Sequence, residues 1–242
     1  QGAEAVIEAL NHANEDRTRA FITPFVIVTS VDPSNPTSPD RLYGLTEHDL
    51  YQAKRIREIA RKYNTRIHSD AFGGMIHLAI QDKENALLGP DVHLQHCRGI
   101  SFDEAKILAE TGTNISASPG FGQINARTPI TELIEMGATV AISTDGTSPS
   151  TSFDLFQAMR KTQFVQQALL RDYYYLPPGK LLEMVTIDAA KCIGWDDEIG
   201  SLEVGKKADI ITVNLHQPHL TPEFMHVHRL VYQAVANDVE HV

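Results

Sequence analysis

Short apolar, β-branched runs alternate with segments of helical spacing along most of this 242-residue chain, and that alternation limits its fold more than any other feature. The runs lie at 20–29, 65–71, 91–97, 113–118 and 138–145. Between them, caps and stops frame helices. Thr46-Glu47-His48-Asp49 opens a helix that runs to about Asn64. Ser101 caps a second over 101–111, with Gly112 as its stop, and Pro129 and Gly137 bracket a third. Further helices are expected over part of 74–88, over 152–170 and from Gly179 to about Ile193. Residues 2–14 carry Val6, Ile7 and Leu10 at helical spacing. Pro33, Pro36 and Pro39 exclude both helix and sheet interior from 30–43, which reads as a long loop. Strands alternating with helices in this way are βαβ units, and such units build a parallel sheet.

A closed barrel of this kind needs eight strands, and five are visible. The expected fold is therefore α/β, a partial TIM-type (β/α) barrel holding about the last five strands. From Asp196 the pattern changes. Turns near 198–205 are followed by apolar runs at 208–215 and 230–234 with no helix expected between them. This reads as a small C-terminal β appendage. It places residues 1–195 in a catalytic partial barrel and residues 196–242 in the C-terminal part of a small β-sandwich.

Composition removes several function classes. A net charge of −10 argues against a nucleic-acid partner, which needs a basic face. No apolar run reaches the roughly 18–20 residues of a membrane span, and no polybasic stretch offers a membrane dock. No secretion signal is visible, and Cys97 and Cys192 are isolated from each other. A cytoplasmic protein without a disulfide framework is expected.

Three polar residues stand at the ends of the apolar runs: His68, His96 and Asp145. In a parallel barrel, the C-terminal ends of the strands converge on one mouth, where catalytic groups collect. Two imidazoles and a carboxylate gathered there suit a divalent metal and proton transfer. A lone strand-end histidine is more often structural, so the weight rests on the three together. His93 lies three residues before His96, so simple alternation turns it to the other face and leaves it a structural role. Asp103, Glu104 and Glu110 read as a solvated helix face, and Gly73-Gly74 reads equally as a hinge or a turn.

The block from Asp197 through Glu198-Ile199-Gly200-Ser201-Leu202-Glu203-Val204-Gly205 to Ile211 resembles the C-terminal signature of the amidohydrolase superfamily. Ser143-Thr144-Asp145-Gly146, Gln95-His96-Cys97 and Ile67-His68 resemble its strand-8, strand-6 and strand-5 motifs, in matching order. The branch most similar holds aromatic-base deaminases, of the methylthioadenosine/adenosylhomocysteine, guanine and cytosine types, together with triazine hydrolases. The resemblance implies metal-dependent hydrolysis of C–N bonds other than peptide bonds, with a purine-like or other N-heterocyclic small molecule as substrate. It implies His68 as a metal ligand and Asp145 as a ligand that also accepts a proton from water. His96 would act on substrate or hydroxide. The implied metal is zinc, with iron as the alternative.

The chain departs from that pattern in several places. Nothing before His68 supplies the family's His-x-His pair, since His12 and His48 are isolated. The sole His-x-His, His226-Val227-His228, falls in the expected appendage. Ala71 stands where deaminases place a shuttle glutamate, and Asp70 beside it shares a strand face with His68. Ser116-Ala117-Ser118-Pro119 stands where a strand-7 histidine often lies. These departures suggest a fragment lacking the N-terminal part of a longer parent. Uncovered strand edges would then favour a homo-oligomer. They also keep two alternatives open: a triazine-type chloro- or aminohydrolase, and an incomplete barrel without turnover.

Overall fold

Capping chemistry fixes where the helices begin in the computed structural model, which describes residues 2–28, 44–120, 126–146 and 152–242. The loop expected at 30–43 lies outside the described residues. The N-terminal helix α1 (Gly2–Leu10) buries Ile7. It stops short of residue 14, because His12, Asn14 and Glu15 take left-handed backbone. At the start of α2 (Glu47–Lys62), Thr46 and Asp49 bond reciprocally. Asp49 N donates to Thr46 Oγ1 at 3.1 Å, and Thr46 N donates to Asp49 Oδ2 at 3.0 Å. This capping box satisfies two otherwise orphaned donors.

The chain then alternates as its pattern predicts: β1 (Ile67–Phe72), α3 (Met75–Ala79), β2 (Val92–Arg98), α4 (Phe102–Thr111), β3 (Asn114–Ala117), α5 (Ile130–Glu135) and β4 (Val140–Ile142). The strands form one sheet in the order β1-β2-β3-β4, and β1 and β2 run parallel. The first apolar run forms no regular strand within its described part. It meets β1 through isolated parallel bridges, Ile22 to Ile67 and Val26 to Asp70. Pro24, between those bridges, has no N–H to give a ladder, which accounts for the interruption.

By contacts the chain divides into two compact units, Gln1–Ile115 with Ala126–Thr139, and Ser116–Asn125 with Val140–Val242. In the first, Ile67, Ala71, Val92 and Leu94 of the strands are fully buried, as are Ala105 and Leu108 of α4 and Leu133 of α5. The second unit contains α6 (Leu155–Leu170), α7 (Pro178–Val185), α8 (Ile187–Ile193), β5 (Thr212–Val213), α9 (His226–Tyr232) and β6 (Val239–His241). Met159, Leu181 and Met184 form much of its core. Here the expected all-strand ending is corrected: β5 pairs antiparallel with β6, and a helix occupies 226–232 between them. Arg229 shapes that helix. It is buried and donates through Nε to Leu220 O at 2.6 Å and through a terminal nitrogen to Leu215 O.

Two sequence readings are settled in the segment after β1. Gly73 is required by a close approach: a Cβ there would lie 2.0 Å from Gly99 O. Gly74, at φ 88, forms the N-cap of α3. The pair is a tight turn, held by Gly73 N donating to Arg98 O at 2.9 Å. Gly73→Ala is expected to destabilise the protein by roughly 1–3 kcal/mol, because the added methyl must push two backbone segments apart. A shift of the urea midpoint would measure it, and an unchanged midpoint would show that the segments part freely. Glu104 is also corrected. Far from being solvated, it is 2% exposed. Its Oε1 accepts from Gly74 N at 2.8 Å and Ile76 N at 3.1 Å, and its Oε2 accepts from Ser101 N at 2.9 Å.

Candidate functional site

The core-facing residues of β1 are Ile67, Ser69 and Ala71, all buried, so alternation turns His68 and Asp70 to the opposite face. In the parallel register, His93 of β2 lies opposite His68. Their Nδ1 atoms are 2.7 Å apart, with ring centroids at 4.6 Å and planes tilted by 42°. Burial holds both rings toward the neutral form. It lowers the His68 pKa. The His93 pKa falls to about 3 through burial, with repulsion from His68 and Arg66 adding to it.

His96 reaches the same face by a different route. Its register partner is Ala71, which points into the core, so an unbroken pleat would carry His96 away from Asp70. Instead the ladder slips: Ala71 pairs with His96, but Phe72 pairs with Arg98, which leaves Cys97 as an extra residue. His96 and Cys97 take left-handed backbone, φ 74 and φ 46. Such a bulge re-aims a side chain. The His96 ring lies stacked near Phe72 at 5.6 Å between centroids, and its Nε2 stands 3.7 Å from Asp70 Oδ2. The Arg98 guanidinium lies 5.5 Å from the Phe72 ring centre. Thr128, fully buried, anchors the bulge by donating its hydroxyl to His96 O. Left-handed backbone at a non-glycine residue costs of order 1–3 kcal/mol and concentrates at functional sites. Cys97 itself is a free, buried thiol whose pKa burial pushes up.

His68 thus pairs with His93, and His96 with Asp70. Asp70 was legible by alternation. His93 was missed, because counting three residues back from His96 assumes regular strand backbone at His96, which instead has φ 74. Asp145 belongs to the second unit, three residues beyond β4. It is exposed, takes left-handed backbone at φ 61, and accepts from Gly146 N through Oδ1 at 2.6 Å. His226 and His228 lie on α9 in that unit, not on a strand. Among the described residues, no group of three or more His, Cys, Asp or Glu side chains is placed to hold a metal ion. No described helix is long and apolar enough to cross a membrane.

Residues 37–242 match the model of the Amidohydrolase family. The chain belongs to the amidohydrolase family. It is 35% identical over 153 residues to a 5'-deoxyadenosine deaminase of Methanosarcina mazei, covering 62% of this chain and 35% of that protein. A 5-methylthioadenosine/S-adenosylhomocysteine deaminase of Thermoanaerobacter pseudethanolicus is 31% identical over 215 residues, covering 78% of this chain and 47% of that one. An S-triazine hydrolase of Gordonia rubripertincta is 36% identical over 149 residues, covering 61% and 31%. Among solved structures, a zinc-bound adenosine deaminase of Xanthomonas campestris superposes with a TM-score of 0.80 at 20% identity, covering 98% of this chain and 53% of that one. The family member thus spans about a third to a half of the length of these curated relatives. Its fold is α/β, a partial (β/α) barrel of the amidohydrolase kind.

Proposed function

We propose that this amidohydrolase catalyses metal-dependent hydrolytic deamination of a purine-like base. The observation that carries the reading is the polar face of β1, which His68 and Asp70 share, with His96 Nε2 3.7 Å from Asp70 Oδ2. Relatives named as deaminases of adenosine-type substrates support it. The residue types proposed as donors, imidazole and carboxylate, are those that zinc takes, with iron second, although the described residues bring no three of them together. When bound, such a metal supplies hydroxide at neutral pH by lowering the pKa of water to about 7.

The chain's own groups then divide the work. His68 offers a neutral ring nitrogen as ligand. Asp145 offers a second ligand and takes up the proton released by water. His96, held between Phe72 and Asp70, presents a ring that polarises the heterocycle. With alanine at 71, we assign the proton transfer toward the leaving amine to Asp70, whose Oδ2 lies 3.7 Å from His96 Nε2. We place the catalytic part within residues 1–195, with 196–242 as its appendage. Self-association is expected beside Ile22–Val26, where Phe25 and Tyr51 are exposed along an apolar groove of about 370 Å³.

A second reading, a triazine-type hydrolase, draws on Ala71 in place of a shuttle glutamate and on the Gordonia relative. A zinc-loaded substrate panel separates the two. Ammonia release from 5'-deoxyadenosine or methylthioadenosine is expected. Chloride or alkylamine release from triazines alone would favour the second reading. Zinc-loaded protein that turns over neither class would overturn both.

A further inference from the structure

We propose that Thr128 is a positioning residue for His96, its hydroxyl holding the left-handed backbone that sets where the His96 ring points. The inference rests on the reading of His96 as the group that acts on the substrate. His96 stands at φ 74, a region that residues with a side chain avoid and that persists only where the surroundings impose it. Two segments grip this stretch of chain. From β1, Gly73 N donates to Arg98 O at 2.9 Å. From the segment that leads into α5, Thr128 donates its hydroxyl to His96 O, and Arg127 O accepts from Gly99 N at 3.0 Å. The turn over 96–99 is therefore clamped from both sides, and the Thr128 bond acts on His96 directly.

The Thr128 side of the clamp is itself firmly held. Thr128 is fully buried, so bulk water does not compete for its hydroxyl. Its β-branch stiffens χ1, and Pro129 after it disfavours helical backbone at 128. Ile130 N donates to Thr128 O at 2.8 Å. Arg127 donates from Nη1 to Glu132 Oε2 at 2.9 Å and pairs through Nη2 with Oε1, which ties the segment to α5. That helix is anchored in turn by the buried Ile130 and Leu133. The seat of α5 is thus passed through one hydroxyl to the His96 carbonyl. The backbone angle there decides the direction in which Cβ leaves the strand. In ordinary extended backbone, the ring would follow the pleat of its register partner, the buried Ala71. It would then leave Phe72, now 5.6 Å away between centroids, and Asp70, whose Oδ2 is 3.7 Å from Nε2.

The test reads the ring directly, in the metal-free 242-residue chain with labelled histidine and phenylalanine. A nuclear Overhauser contact between the His96 and Phe72 rings reports the stack, and the backbone chemical shifts of His96 report its left-handed angle. Thr128→Val removes the donor and keeps the volume. It is expected to lose the ring contact and the left-handed shifts, whereas Thr128→Ser keeps the hydroxyl and is expected to retain both. A folded Thr128→Val variant that retains the ring contact would overturn the proposal, as would a wild type that lacks it. If Thr128→Val does not fold, Thr128→Ala takes its place. Failure of both to fold would also overturn the proposal, by making Thr128 a requirement of the fold as a whole. Turnover of the zinc-loaded protein is the second readout. Misplacing a reacting group by about 1 Å can cost about 100-fold, so Thr128→Val should lower turnover about tenfold or more, with Thr128→Ser restoring most of it. Lost ring contact with full turnover would sink the reading of His96 while upholding Thr128 as its anchor. A wild type without turnover would sink the proposed function, and the ring contact would still decide the role of Thr128.

Discussion

Asp145→Asn is expected to lower turnover of the zinc-loaded protein by about a thousandfold or more, with little change in melting temperature. The size follows from the two tasks assigned to the carboxylate. Loss of a general base alone costs roughly 10²–10⁴-fold, and the lost negative charge also weakens the hold on a cation. The fold should tolerate the change, because Asp145 is exposed beyond the end of β4 and an amide oxygen can still accept from Gly146 N. Turnover within tenfold of wild type would remove Asp145 from the mechanism.

The paired histidine variants assign the remaining roles. His68→Asn should lose metal and activity together, since its ring is proposed as a ligand. His96→Asn should lower turnover strongly yet retain most of the metal, because its ring is held against Phe72 and Asp70 for work on the substrate. Metal analysis of the purified variants by mass spectrometry reads the difference. Equal metal loss in both would make His96 a ligand and require the roles to be redrawn.

The alternation of strand and helix was legible because each element carries its own local signal. Thr46 with Asp49 and Ser101 with Glu104 each form the reciprocal cap that their spacing advertises. His68 and Asp70 share a face because a regular strand alternates strictly. His96 and His93 show where that logic ends. The register runs unbroken to His96 and slips only at Cys97, but left-handed backbone at His96, φ 74, with Thr128 donating to its carbonyl, departs from the regular pleat on which the expected face of His96 depended. Nothing within the run 92–97 encodes that slip. The helix at 226–232 was hidden for a related reason. A short apolar run such as Leu230-Val231-Tyr232 fits strand and helix alike, and the buried Arg229, bonded to the carbonyls of Leu215 and Leu220, decides between them through tertiary contacts. The first apolar run carries the composition of a strand, but Pro24, with no donor to give, breaks the ladder there.

Glu104 is where the largest stability effect is expected. Its carboxylate is 2% exposed and accepts from four backbone nitrogens: Gly74 at 2.8 Å, Ile76 at 3.1 Å, His77 at 3.4 Å and Ser101 at 2.9 Å. Three of those donors belong to the opening turn of α3, which has no side-chain cap of its own. One residue of α4 therefore caps α3, which follows directly from the strand that carries His68 and Asp70. Hydrogen bonds to a charged acceptor contribute more than neutral ones, and each buried donor left unpaired costs about 1–3 kcal/mol. Glu104→Ala strands several donors at once, so a loss of about 3–5 kcal/mol is expected after allowing for non-additivity. Glu104→Gln keeps a carbonyl oxygen for α3 but turns an amide donor toward Ser101 N, so an intermediate loss is expected. Urea denaturation of the three proteins measures the series. A loss below about 0.5 kcal/mol in Glu104→Ala would be ordinary for an exposed surface position, and would show that α3 is held by the burial of Met75, Ile76 and Leu78 without the carboxylate.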